Sequence, residues 1–516
     1  MFHGSDMSII ERHFKILLLA IAVLTAAIYG ITFYPGQGWN GDFSQFIHHA
    51  VNIVDGKDYL DTGYIVGGPS FVGPYAYPPI FPLMIAPFYA IAGLDIETFK
   101  WVGTLCLSST VLLFPKAIPN LRKLPLLVII ILTVANPVYW TYRNNVLSDL
   151  PFVLTAFLSL AVMQHTFELV EKKHVKTQHV AFWSLLLGLT TYTGYGTREI
   201  GLVLPLCVIT YEIVAHRKIS MLSLITLSVF MLFAFIQHKS LSGNLTPEHI
   251  QQNLKTFTEQ NKLFSLTINH FDLIDLNIQN ILTRIQEYRW LLEAYIPDND
   301  NITIGIITSL VFNTGILLGA IGYIICLFKK ITVLEIFCAG YVAVLLLSGA
   351  IAYYRYLMPL LPLIFYYIIV ALNHIPDRYR QVKLVCIAIL LGGTVTSYGY
   401  DYYNHDYSEL DYGFTFPDSV EMFDFICQHT SEDDTIIFEK PRMLSLLTGR
   451  TAAFYPVGVP LVDSKKASQF FAAVSADYYV RMNLNFYARP LENTDPPYEK
   501  FSEVFRNDYF IVFRLD

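Results

Sequence analysis

The sequence predicts a mainly α membrane protein, a polytopic helical bundle of about eleven transmembrane helices with a small extracytoplasmic α/β domain at its C-terminal end. Three observations predict it. The 516 residues are 54% hydrophobic and 15% charged, with a mean hydropathy of +0.44, whereas soluble domains carry about 25% charged residues. Apolar runs long enough to cross a hydrocarbon layer of about 30 Å recur along the chain. Beyond residue 402 the pattern changes to short strands and short helices with 10 Lys/Arg against 18 Asp/Glu.

The apolar runs cover residues 14–34, 98–115, 124–142, 148–166, 180–196, 199–215, 219–237, 302–328, 332–351, 355–373 and 383–400. Basic residues sort onto alternate loops: Arg12/Lys15, Lys116/Arg122/Lys123, Lys172/Lys173/Lys176, Arg217/Lys218, Lys329/Lys330 and Arg378/Arg380/Lys383. An excess of Lys and Arg marks cytoplasmic loops. The opposite loops hold Asp42, Asp55, Asp58, Asp61, Asp95 and Glu97. The N-terminus is therefore expected inside and residues 403–516 outside, in a multi-pass protein of the plasma (inner) membrane. The first run has signal-like flanks and no small-residue cleavage site, so it reads as a retained anchor. Runs 180–196 and 199–215 are the weakest pair, separated only by Thr197-Arg198-Glu199 and interrupted by Gly194, Gly196 and Gly201. Broken backbone at membrane depth needs protein or water beside it, so a cavity lining is expected here.

Five cysteines (Cys106, Cys207, Cys326, Cys338 and Cys386) fall inside apolar runs and only Cys427 lies outside, which leaves no disulfide framework. The net charge of −7 resides in the tail, and such a balance excludes nucleic acid as a partner. No phosphate-binding glycine loop follows a strand, which argues against nucleotide hydrolysis.

Two domains are expected. Residues 1–402 form the membrane domain with outer loops 35–97 and 239–300, and residues 403–516 form the α/β domain. In the first loop Phe43, Phe46, Ile47, Ala50, Val51 and Val54 fall at helical spacing, predicting a helix on the membrane surface. The second loop has helical periodicity around Ile278–Leu292. In the tail, strands are expected at 435–438 and 510–513 and helices at 419–428 and 441–448.

Charged residues at membrane edges are the chemical candidates. A carboxylate next to hydrocarbon is costly unless it faces protein or water, and Asp42 sits directly after the first run. Its alternative role is to cap the following helix. Asp149 opens the fourth run, where capping competes with a site role in the same way. Arg198 and Arg355 lie at predicted outer edges and Arg143 near one; a guanidinium there either pairs with phosphate in a planar fork or snorkels to the interface. Tyr64, Asp58 and Asp61 flank a Pro-rich segment and either touch substrate or shape turns. His48 and His49 could join Asp42 around a divalent metal cation, but helix surface polarity explains them as well.

Several short stretches together resemble the polytopic GT-C glycosyltransferases, the group that holds aminoarabinose transferases and protein O-mannosyltransferases. They are Gly41-Asp42-Phe43, Tyr75-Ala76-Tyr77-Pro78-Pro79 with Phe81-Pro82, Leu147-Ser148-Asp149-Leu150-Pro151, Thr197-Arg198-Glu199-Ile200-Gly201-Leu202 and Tyr354-Arg355-Tyr356-Leu357-Met358-Pro359. The resemblance covers residues 14–372, with a C-terminal outer domain as in the family. It implies a transfer of sugar, with inversion, from a polyprenyl-phosphate-linked donor to an extracytoplasmic lipid, glycan or protein acceptor. Asp42 would be the catalytic carboxylate and Asp149 a second acidic group of the same cavity, at a position where relatives more often carry Glu. Arg198, Arg355, Arg143 and Tyr64 would bind lipid phosphate or substrate, with a divalent cation used in some members. The alternative is a transporter or flippase of a lipid-linked or anionic substrate, and a weaker one is a membrane scaffold.

Overall fold

The structure is a computed structural model that describes residues 4–39, 42–65, 74, 76–119, 121–171, 176–243, 245–260, 302–347, 354–404, 413–455, 464–482 and 501–515. The predicted helix at Ile278–Leu292, Gly41 and Tyr75 lie outside these residues. The chain divides into two compact units, one of Met1–Phe33, Lys100–Gln237 and Leu273–Glu409, the other of Tyr34–Phe99, His238–Asp272 and Leu410–Asp516.

The first unit is helical. Among the described residues of the whole chain, seven helices are long and apolar enough to cross a membrane: Glu11–Ile31, Asp149–Glu171, Glu199–His216, Met221–Leu241, Val311–Lys329, Arg355–Asn373 and Asp377–Asn404. Predicted spans 98–115 and 180–196 are the helices Ile96–Ala117 and Thr177–Thr197, and the described part of 332–351 contains the helix Val333–Leu347. Run 124–142 is not one span. It breaks into Lys123–Val134 and Pro137–Tyr142 because Pro137 has no N–H to donate and the Asn136 side chain accepts from the Val138 N–H at 2.9 Å, starting a new helix. Large apolar side chains such as Phe182, Met231, Phe235 and Phe328 stand outward and exposed, a surface suited to lipid and not to water.

Packing inside this unit relies on small residues where backbones meet. A side-chain carbon at Gly322, in the helix Ile302–Lys329, would overlap the backbone carbonyl of Tyr367 in the helix Leu361–Asn373. Gly201 is pressed in the same way against the backbone of Gly194. That contact lets the chain leave Thr177–Thr197 through an extended Arg198 and re-enter a single 3-10 turn, Glu199–Leu202, before Val203–Tyr211. The expected break between runs 180–196 and 199–215 is thus present, and it projects Arg198.

The second unit is built on a six-stranded sheet of β1 (Tyr64–Ile65), β2 (Thr435–Ile437), β3 (Thr451–Ala453), β4 (Tyr478–Met482), β5 (Phe501–Arg506) and β6 (Phe510–Leu515), in the order β1-β3-β2-β4-β6-β5. The first four neighbours run parallel, and β6 and β5 are antiparallel. β1 comes from the loop after the first membrane run, so that loop is part of the tail's own sheet. One face carries Ile65, Ile437, Ala453, Tyr479 and Phe513, which bury against Leu254 and Phe257 of the helix Glu248–Gln260 and Phe470 and Phe471 of the helix Ser464–Ala473. The other side holds Trp39 among Phe414, Phe423, Phe438 and Phe510, with centroids 5.9–6.5 Å apart. Parallel strands covered on both faces are the arrangement that their continuous apolar runs require.

The helix Asp42–Asp55 differs from expectation. It is not a half-exposed surface helix, since Gln45, His49 and Asn52 are as buried as Phe43 and Ile47. Gln45 donates to Thr62 Oγ1 at 3.1 Å and Asn52 to the Asp61 carbonyl at 2.6 Å. These bonds staple the loop that leads into β1 along the polar side of the helix, so both faces find partners.

Candidate active site

Asp42 begins its helix and its side chain is 36% exposed. Tyr77 donates its hydroxyl to Asp42 Oδ1 at 2.9 Å, and Arg442 Nη1 donates to the same Tyr77 oxygen at 3.1 Å. Arg442 Nη1 lies 3.7 Å from Asp42 Oδ1, with the arginine side chain only 1% exposed. Arg442 is the second residue of the helix Pro441–Thr448, which follows β2 directly. Its guanidinium carbon lies 5.5 Å from the Tyr64 ring and 5.6 Å from the Tyr77 ring. Tyr64, expected to touch substrate, is buried in β1 and reaches this cluster through Arg442.

Tyr77 is fixed from behind. Its N–H donates to His49 Nε2 at 3.3 Å, its carbonyl accepts from the Tyr59 hydroxyl at 2.7 Å, and its ring lies 4.4 Å from that of Phe46. His49 Nδ1 lies 2.7 Å from the Tyr59 carbonyl. With Nε2 accepting, the proton must sit on Nδ1, so the imidazole is neutral. Burial pushes His49 down to about 3 and His48 down to about 4. Burial also raises Tyr77, with Arg442 opposing, to about 12, so its phenol remains a proton donor to Asp42 at neutral pH. Burial lowers Lys440, two residues before Arg442, against the attraction of Glu439.

Among the described residues this donor set assembles no site for a divalent cation. A guanidinium already supplies positive charge beside Asp42, both nitrogens of His49 are engaged, and no group of three His, Cys, Asp or Glu is placed to hold a metal among the described residues.

The first unit assembles a second cluster. Asp149 opens the helix Asp149–Glu171, and its Oδ1 is bonded to Arg198 Nη1. Among the described residues Asp149 makes no capping bond, and its Oδ2 is buried without a hydrogen-bond partner. Glu199, the nearest acid in sequence, is exposed, and the partner of Arg198 is Asp149. The Arg198 guanidinium carbon lies 4.5 Å from the Tyr356 ring and that of Arg355 lies 5.3 Å from the same ring. The Tyr341 hydroxyl donates to the Tyr356 carbonyl at 2.8 Å and steadies that turn. Arg198 and Arg355 thus converge on one ring beside the Asp149 carboxylate, and guanidiniums are the groups that pair with phosphate oxygens in a planar fork.

Arg143 is anchored at the end of the first helix. It donates from Nε to Thr32 Oγ1 at 3.0 Å, from Nη1 to the Trp140 carbonyl at 2.8 Å and from Nη2 to the Thr32 carbonyl at 2.9 Å. It also lies 4.0 Å from the Trp140 ring, so it ties the end of the first helix to Pro137–Tyr142. Asp58 and Asp61 are turn residues: Asp58 Oδ1 accepts from the Leu60 N–H at 2.9 Å, and Asp61 N–H donates to the Asp58 carbonyl at 3.0 Å. Arg442 was missed from sequence, although a strand followed at once by a Pro-led helix marks the carboxyl edge of a parallel sheet, where α/β folds place ligands.

No family model matches the chain, and no curated protein matches its sequence. Solved structures match its fold. The oligosaccharyltransferase AglB of the archaeon Archaeoglobus fulgidus, in complex with an inhibitory peptide and a dolichol-phosphate, superposes with a TM-score of 0.60 at 10% identity, over 91% of this chain and 70% of that one. ArnT from Cupriavidus metallidurans bound to undecaprenyl phosphate gives 0.54 at 10% identity, over 97% of both chains. The fold is that of the GT-C membrane glycosyltransferases. An A. fulgidus oligosaccharyltransferase complex with Zn and sulfate also matches, at a TM-score of 0.52 and 11% identity, over 90% of this chain and 68% of that one. The GT-C likeness extends through the tail, since the match to ArnT runs over nearly the whole sequence.

Proposed function

We propose that the chain is a glycosyltransferase that moves a sugar from a polyprenyl-phosphate donor to a hydroxyl or amine of an extracytoplasmic lipid, glycan or protein acceptor. The observation that carries this reading is Asp42, a carboxylate open to solvent on one side and held by Tyr77 and Arg442 on the other. The acceptor oxygen or nitrogen attacks the anomeric carbon, the bond from that carbon to the phosphate oxygen breaks, and polyprenyl phosphate departs with the electron pair. The acceptor's proton passes to Asp42. Direct displacement inverts the anomeric centre. Proton transfer to a placed base contributes about 10² to 10⁴ in rate.

The convergence of Arg198 and Arg355 on the Tyr356 ring supports them as ligands of the donor phosphate, with Asp149 as a positioning residue for Arg198. The decisive experiment is transfer by the full-length protein in lipid nanodiscs, with Asp42→Asn as the variant. Transfer should fall by about 10² or more while folding is intact. A transporter or scaffold that makes no bond would lose nothing, and unchanged product formation would end the proposal.

A further inference from the structure

We propose that Arg442 binds an oxyanion of a substrate, a phosphate or carboxylate group, on the edge of its guanidinium that points away from Asp42. The guanidinium has two faces and two hydrogen-bonding edges. The rings of Tyr64 and Tyr77 lie 5.5 and 5.6 Å from its carbon, and Nη1 is engaged with Tyr77 and Asp42. The other edge, formed by Nε and Nη2, is buried and has no hydrogen-bond partner among the described residues. That edge is the pair of parallel donors that fits two oxygens of a phosphate or carboxylate. A buried cationic fork without an acceptor is rare and calls for a partner, because buried polar groups are otherwise satisfied.

The place in the fold agrees. β1, β3, β2 and β4 are parallel neighbours, and β2 leads within four residues into the helix Pro441–Thr448. Arg442 therefore sits at the carboxyl edge of the sheet and in the first turn of a helix, both of which favour anions. Lys440 adds a second cation two residues away. This inference builds on the proposed transfer reaction, since it puts the anion beside the base. Two sources carry the same chemistry: the donor's phosphate, or an acidic group on the acceptor.

The test measures binding without turnover, so it stands or falls separately from the transfer activity. Inorganic phosphate is titrated calorimetrically into the full-length Asp149→Asn/Arg198→Gln protein in nanodiscs, which weakens the other cationic cluster without stranding a buried carboxylate, and into the same protein carrying Arg442→Gln. Affinity should fall about tenfold or more with the second substitution. Arg442→Lys keeps the charge without the fork, should also weaken binding, and replaces Arg442→Gln if that variant lacks a cooperative thermal transition. Displacement of the bound phosphate by polyprenyl phosphate identifies the donor as the source of the anion; failure to displace it identifies the acceptor. Equal phosphate affinity with and without Arg442, or no binding to the Asp149→Asn/Arg198→Gln protein that retains a cooperative thermal transition, overturns the proposal.

Discussion

Tyr77 donates its hydroxyl to Asp42 at 2.9 Å across 35 residues of sequence, and it accepts from Arg442, 365 residues further on, at 3.1 Å. One phenol thus joins the first loop to the tail within a single unit, and it aims the carboxylate. Tyr77→Phe removes the aim and leaves the charge of Arg442 in place. A net hydrogen bond is worth about 1 kcal/mol, so stability should fall little. Transfer should fall about tenfold in kcat with KM for the acceptor unchanged, the pattern of an interaction made in the transition state. Combined with Asp42→Asn it should add nothing, because both act through one group. An unchanged kcat for Tyr77→Phe would show that Asp42 needs no such orientation.

Among the described glycines Gly322 leaves the least room for a side chain, set against the carbonyl of Tyr367. Gly322→Ala must push apart Ile302–Lys329 and Leu361–Asn373, and it disturbs the bond from Tyr367 to Glu335 at 3.1 Å. Overpacking of this kind costs about 1 to 3 kcal/mol. Gly315→Ala, where the nearest atoms lie 3.7 Å away, is the control and should be tolerated. Thermal unfolding in detergent separates the two, and equal midpoints would refute the packing argument.

The membrane helices were legible because hydrocarbon demands long apolar runs, and those runs are local in sequence. The helix Ile80–Ala92 was missed for the same reason: at 13 residues it is short, and Pro78, Pro79 and Pro82 disguise its start as a turn. Asp149, Arg198 and Arg355 were each visible as charges at membrane edges, and the structure brings those three together with Tyr356. Arg143 carried the same signal yet turned inward to backbone carbonyls, a distinction that depends on how the first helix ends. Arg442 and β1 left almost no local trace. A two-residue strand is too short for a periodic pattern, and the partners of Arg442 lie several hundred residues away.

Acid should loosen the second unit through its histidines. His49 titrates near 3 when folded against about 6.5 when unfolded. The unfolded chain therefore binds the extra proton between these values, and stability rises with pH across that window. It is fully present above about 6.5 and is lost as pH falls toward 3, by on the order of 2 kcal/mol at pH 5. His48, near 4 when folded, acts in the same direction. The unfolding midpoint should drop between pH 7 and pH 5, and the drop should shrink in His49→Asn, which keeps a donor and an acceptor but does not titrate. A pH profile identical in the variant would remove His49 as the cause.

The pair of Asp149 and Arg198 predicts a split between stability and catalysis. Asp149 is 3% exposed, so Arg198→Gln strands a buried carboxylate and should cost about 3 to 5 kcal/mol. Asp149→Asn removes that buried charge and leaves Arg198 against the Tyr356 ring at 4.5 Å, so it should cost less. The double variant should then be more stable than the sum of the two losses, with a coupling of about 1 to 3 kcal/mol in a double-mutant cycle. In transfer assays Arg198→Gln should raise KM for the polyprenyl-phosphate donor. If Asp149 acts only by placing Arg198, Asp149→Asn should raise the same KM and keep kcat within about threefold, since a positioning loss appears in binding. A collapse of kcat on Asp149→Asn with the donor KM unchanged would instead make Asp149 a participant in the chemistry.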